Sequence, residues 1–324
     1  MISCKSFRKV DLRPEVIEIA DSIANENILT SDAVGYSGMR PKQWDRFEKL
    51  KNIALTAELV QLTEYNNSVV RCYAFQALAG RKDVDIIPIL INHLHDTASL
   101  ETFRGCIKSS EMVGDYFIDV VTPQYIDLNL YKLNDKQRQL IDSILIFDKD
   151  ISLSAKTSVL FKIKPEERYY ERIKEIAINE KNNYAIIALS KYKRHEDTAS
   201  IIRLLKDNDT DNQFIGLQCV KNFPDSCFFS YVSQIHKIEI KKPTSYNYAM
   251  LRMLYQAIVQ YKNQTSRQLL DNTFNFSDSN AFEYHRRYIW LALKKYPDKI
   301  YEGYLNRIEL SDWEKEELQY WLED

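Results

Sequence analysis

One pattern constrains the fold of this chain more than any other: an apolar anchor preceded by a small or medium residue, recurring along the sequence. The anchors are Leu78, Ile107, Leu160, Leu189, Val220, Ile258 and Leu293, preceded by Ala77, Cys106, Val159, Ala188, Cys219, Ala257 and Ala292. A second apolar position follows twelve residues later at Leu90, Ile201, Val232, Leu270 and Leu305, and thirteen later at Val120 and Ile173. Four anchors are followed three residues on by an aromatic: Tyr192, Phe223, Tyr261 and Tyr296. Successive anchors lie 29, 53, 29, 31, 38 and 35 residues apart, and a degenerate unit over 123–147 is expected to fill the longest gap. A period in this range is the mark of stacked helix pairs, each burying a face that it cannot bury alone.

Each unit divides into two helices. SVVRCYAFQALAG (68–80) is apolar almost all round, as befits a helix packed on both sides. In the following DVDIIPILINHLHD (83–96), Ile87, Leu90, Ile91 and Leu94 fall on one helical stripe. Asp85 is the expected N-cap, with Pro88 in the first turn, where its missing N–H costs little. The cation-rich KYKRHED (191–197) takes the place of a turn between a helix through Leu189 and a second carrying Thr198, Ile201, Ile202 and Leu205 on one face. Second helices are expected over 84–95, 113–121, 166–179, 197–206, 226–237, 264–275 and 299–309.

The run 66–96 resembles a HEAT-type repeat of the bacterial, short-unit kind. Val70, Arg71, Ala74, Ala77 and Leu78 match its first-helix pattern, and Ile87, Pro88, Leu90, Leu94 and Asp96 its second. The likeness weakens in later units, which lack the Val-Arg and the Pro. It implies an all-α fold, a right-handed α-solenoid of about seven to eight HEAT-like helix pairs. It also implies a structural part for Arg71, bracing one unit to the next through an acid or a helix end.

The solenoid is expected over 46–308, between an N-terminal cap (1–45) and an acidic capping helix (309–324). In the N-terminal part a helix should run over 14–29, a Gly/Ser loop over 31–41 and a long helix over 42–64. The last sixteen residues hold seven acids and one lysine, and Trp313 and Trp321 are expected to fold over the last repeat.

Only 7 glycines occur in 324 residues, which disfavours a turn-rich β protein. The formal net charge of −2 sets the chain apart from basic nucleic-acid binders. Charge is uneven, −4 over 96–150 and +4 over 160–206, which suits docking of a protein partner better than tracking a uniform polyanion. The cysteines (4, 72, 106, 219, 227) form no C-x-x-C pair, and Cys72, Cys106 and Cys219 sit in apolar runs.

Catalytic patterns are missing. His93 and His95 are two apart on a helix, diverge by about 200°, and cannot share an ion. H-E-x-x-H, phosphate-cradling glycine loops and G-x-S-x-G do not occur. No metal or cofactor is expected. No run is long enough to span a membrane, and the start, MISCKS, has no apolar signal core, so a cytoplasmic location is expected. The alternative is a bacterial lipoprotein anchored through Cys4, since Ile2-Ser3-Cys4 would resemble the end of such a signal.

The leading expectation is a non-enzymatic scaffold that binds a protein or peptide on the curved face of the solenoid. The candidate contacts are His93, Arg203, Lys206, Gln234 and Lys237, with Arg71, Pro88, Trp313 and Trp321 structural. One alternative is a DNA-binding repair enzyme of the HEAT-like alkylated-base glycosylase kind. The charge balance argues against that, and nucleic acid is not the expected partner. A second alternative is a lyase-type maturation subunit, which the residues neither support nor exclude.

Overall fold

The computed structural model describes residues 11–122, 126–127, 129–242, 247–276 and 282–323. The protein is mostly helical with one small sheet, and it divides into two compact units, Met1–Val159 and Leu160–Asp324.

In the first unit α1 (Pro14–Glu26) starts on a proline and ends at Asn27, whose φ of 52° turns the chain into β1 (Ile28–Val34). Then come α2 (Lys42–Ile53), α3 (Thr56–Leu62), α4 (Ser68–Ala79) and α5 (Ile87–Asn92). A hairpin of β2 (Ser99–Gly105) and β3 (Ile107–Met112) leads into α6 (Val113–Val121) and α7 (Asp135–Phe147). The division between the units falls in α8 (Ala155–Lys162). β1 runs parallel to β2, and β2 antiparallel to β3.

The centre of this unit is α4. Asn67 caps it by accepting from the amides of Val69 and Val70, and every residue from Cys72 to Ala79 is buried. Tyr73 reaches from α4 to β1, its hydroxyl accepting from the Thr30 amide at 2.8 Å. On the other side Phe75 stacks on Phe117 of α6 at 3.9 Å.

The fold is predominantly helical, as expected, with one small three-stranded sheet added, and two local expectations are corrected here. The segment around the anchor Ile107, expected to be a first helix, is the β2–β3 hairpin, with Ile107 69% exposed and Cys106 exposed beside it. Leu100 and Thr102 point inward while Ser99 and Glu101 face out, a period of two that the repeat register overrode. The 14–29 helix is likewise cut short, its last residues joining β1.

The long helix over 42–64 is broken, because Ala54 is extended (ψ 138°). Arg13 Nη2 takes the Ile53 carbonyl at 2.5 Å, and Arg81 Nη2 takes those of Lys51 and Ala54. Glu58, 1% exposed, accepts from the Leu55 amide and from three donors of Arg13, so both sides of the break are satisfied. The bond from Arg13 holds the Glu58 carboxyl down at about 2 against its own burial. Of the degenerate unit expected over 123–147, α7 is present, and residues 123–125 and 128 lie outside the described residues.

The second unit, among the described residues, is entirely helical. It contains α9 (Glu167–Ile178), α10 (Asn183–Ser190), α11 (Thr198–Lys206), α12 (Thr210–Asn222), α13 (Phe229–Glu239), α14 (Tyr248–Val259), α15 (Gln264–Phe274), α16 (Phe282–Lys295) and α17 (Asp312–Glu323). Asn182, Asp209 and Asn247 cap α10, α12 and α14 through their side chains. α10 packs on α12, α12 on α14 and α14 on α16.

The turns also repeat. Lys193 and Lys262, each just after an aromatic, are left-handed with φ of 55° and 48°. Tyr192 donates to the carbonyl of Glu166 at 2.7 Å, and Tyr261 to that of Asp225 at 3.1 Å, so each tyrosine ties its turn to an earlier one. In KYKRHED, Lys191 donates to the carbonyls of Phe161 and Ile163, and Arg194 pairs with Glu167 over the Tyr170 ring. His195 is exposed, with Nδ1 3.2 Å from Asp225.

A second helix over 299–309 is not formed. Two 3-10 turns, Lys299–Tyr301 and Leu305–Arg307, flank Gly303, whose φ of 89° stops any helix there. α17 is present and starts with a reciprocal Ser311–Glu314 cap. Glu314 and Leu318 face inward, and Trp313, 66% exposed, has its ring centre 5.6 Å from Arg287 Cζ of α16. Trp321 lies under the guanidinium of Arg252, 3.5 Å from ring centre to Cζ.

The second unit also buries a polar layer. His236 Nε2 lies 2.7 Å from Thr273 Oγ1, which is 3.2 Å from the Tyr255 hydroxyl, itself 2.7 Å from His285 Nδ1. Tyr255 donating to Nδ1 of a neutral His285 satisfies the contact between them. Burial pushes both histidines down to about 4, with His285 adding to the effect on His236.

Candidate functional site

Two places bring polar side chains together, one in each unit. In the first, α4 and the end of α5 form an open cleft of about 430 Å³ lined by Glu64, Tyr65, Asn66, Arg71, Asn92, His93, His95 and Asp96. Arg71 spans it, with Nε 2.9 Å from Asp96 Oδ2 and Nη1 donating to the carbonyls of Tyr65 and Asn66. Burial alone would raise the Asp96 carboxyl, but the contact with His93 and the charge of Arg71 outweigh it and hold the carboxyl below its ordinary value.

His93, expected to face solvent, is 4% exposed. α5 ends at Asn92, so His93 is the C-cap residue (φ −101°), and the helical wheel that turned it outward does not extend to it. Its ring sits 4.7 Å from that of Phe117, with Nδ1 3.4 Å from Asp96 and Nε2 3.2 Å from Glu64. His95, two residues on, is exposed and faces Asp148 instead. The two histidines therefore engage different acids. The cleft's main charges, Arg71, Asp96, His93 and Glu64, engage one another, and no serine or cysteine nucleophile lines it. Pro88 lies in the first turn of α5, and Asp85 accepts from the Ile87 amide at 3.4 Å, although Ile86 holds the cap position itself.

In the second unit the other four candidates lie on α11 and α13, which contact each other. Both helices turn an apolar side inward: Ile201, Leu204 and Leu205 from one, Val232 and Ile235 from the other. Arg203, Lys206, Gln234 and Lys237 are left exposed. Arg203 Nη2 donates to Asn183 Oδ1 of α10 at 2.7 Å, and Lys206 Nζ lies 5.2 Å from the centre of the Tyr231 ring of α13, so α11 is tied to both neighbours. Ile238, 51% exposed next to Lys237, adds an apolar element beside the four polar candidates. Its position one residue beyond a polar site on a helix of known register was the available signal.

Among the described residues, no group of three or more His, Cys, Asp or Glu is placed to hold a metal ion. None of the described helices is long and apolar enough to cross a membrane. No family model, curated protein or solved structure matches this chain.

Proposed function

We propose that the chain is a non-enzymatic scaffold of HEAT-like helix pairs whose second helices bind a protein or peptide. The observation that carries this reading is the α11–α13 face. Adjacent helices present exposed Arg203, Lys206, Gln234 and Lys237, with Ile238 exposed beside Lys237 on α13, a mixture of polar and apolar groups suited to a transient contact surface. The packing of α10, α12, α14 and α16 on one another supports the repeat arrangement, because a solenoid joins each unit to the next in this way.

A cytoplasmic location goes with this reading. The free cysteines Cys72, Cys106, Cys219 and Cys227 accord with a reducing compartment. The lipoprotein alternative rests on Cys4, which lies outside the described residues.

The test is crosslinking capture with the full chain, repeated with Arg203→Ala, Lys206→Ala, Gln234→Ala and Lys237→Ala combined. A partner held by the parent and lost by an equally stable variant supports the assignment. A partner held equally by both removes it.

A further inference from the structure

The second docking feature lies in the first unit, at one end of the sheet. β1 ends in a four-residue turn, closed by a pair of bonds between Val34 and Met39 at 2.8 and 2.9 Å. The β2–β3 hairpin turns through Gly105 and Cys106, with Gly105 at φ +53°. The two turns are locked side by side, since the Gly35 amide donates to the Gly105 carbonyl at 2.8 Å. Side chains with no packing role project from this double tip: Tyr36 is 102% exposed, Met39 67% and Ile107 69%.

The two turn segments themselves carry charge of one sign, with acids beginning only beyond them at Asp32, Asp45, Glu101 and Glu111. Residues 35–42 and 104–110 contain Arg40, Lys42, Arg104 and Lys108 and no acid, in a chain whose net charge is −2. Arg40 pairs with Asp45 and Arg104 with Glu111. Among the described residues Lys42 and Lys108 pair with no acid, and Lys108 lies 5.1 Å from the centre of the Phe103 ring. A protein socket would have to be shaped to each of three separate projecting side chains. A lipid interface accepts them singly, favours tyrosine at the headgroup level, and attracts a basic collar when its headgroups are anionic.

We infer that the paired turns at Gly35–Gly38 and Gly105–Cys106 form a docking tip for an anionic membrane surface, entering the interface through Tyr36, Met39 and Ile107 with Lys42 and Lys108 on the headgroups. This surface is separate from the α11–α13 face and does not depend on it.

The experiment is co-sedimentation of the full chain with vesicles of about 30% phosphatidylserine in phosphatidylcholine, against phosphatidylcholine alone. The parent binds the anionic vesicles at least about tenfold better than the neutral ones. The combined Tyr36→Ser, Met39→Ser and Ile107→Ser variant, and separately Lys42→Glu with Lys108→Glu, each lose about tenfold while keeping the parent's thermal midpoint. A Tyr36→Trp variant shows a blue-shifted emission on binding that brominated lipid quenches. Absence of binding, equal binding to both vesicle types, or binding untouched by the apolar variant overturns the inference. Retention on immobilised polyglutamate without any vesicle binding assigns the tip to an acidic protein and overturns it as well.

Discussion

Acidification is expected to unfold the second unit well before carboxylate titration alone would. His236 and His285 are 1% and 2% exposed, and burial holds each at about 4 against an ordinary 6.5. The unfolded chain therefore binds protons that the folded unit refuses, and stability falls as pH drops from 6.5 toward 4. Each histidine then costs about 2 kcal/mol by pH 5 and about 3 kcal/mol below pH 4. Protonated His285 would also turn Nδ1 into a donor facing the hydroxyl that now donates to it. The Glu239 backbone at the end of α13 acts the other way on His285, favouring its charged form, but burial outweighs it. Three of the four tryptophans lie in this unit, so a Trp44→Phe background makes fluorescence report on it alone. Urea midpoints should fall steeply between about pH 7.5 and about pH 5 in that background. They should fall much less in a version carrying His236→Gln and His285→Gln. If both lose the same stability over that interval, the histidines are not the titrating groups and the reasoning is refuted.

Two further outcomes test the first unit. Gly114→Ala would place a Cβ 2.8 Å from the His93 carbonyl oxygen and 2.7 Å from Leu153 Cδ1, too close without moving α6. The strain exceeds the gain in helix propensity, for a net loss of about 1–3 kcal/mol in denaturant unfolding of this unit. Glu58→Gln removes the buried anion at the α2–α3 break, leaves Arg13 only the exposed Glu15, and should cost about 2 kcal/mol near neutral pH. Because the Glu58 carboxyl is held at about 2, the parent's advantage should persist down to its ordinary 4.5 and fade only toward pH 2. A parent–variant difference in urea midpoint that vanishes by about pH 5 would contradict this origin.

The elements legible in the residues were those whose signals are local. The unbroken apolar face of 68–80 and Pro88 act within a turn or two; α4 forms where the first places it, and α5 keeps Pro88 in its first turn but covers only Ile87–Asn92 of the expected 84–95. The expected helices at 113–121, 166–179 and 197–206 likewise correspond to α6, α9 and α11. What was illegible depended on distant partners. Nothing within 42–64 announces that Arg13 and Arg81 will take the carbonyls at 51–54. His93 is buried by Phe117 and Glu64, both remote in sequence, once its helix has ended at Asn92, three residues before the expected end at 95. Arg203, Lys206, Gln234 and Lys237 are exposed as read, because α11 and α13 follow the register that predicts their outward side.

The parallel pairing of β1 with β2 has a consequence for synthesis. Ile28 meets Glu101, so the strand that leaves the ribosome first must wait 73 residues for its neighbour. At roughly 5–20 residues per second that interval is about 4–15 seconds, during which the hydrogen-bonding edge of β1 has no strand to meet. Tyr73, which bonds both the amide and the carbonyl of Thr30, emerges before Glu101 and offers the strand a provisional holder. Tyr73→Phe should therefore lower the yield of folded protein during translation more than it lowers the stability of the finished chain.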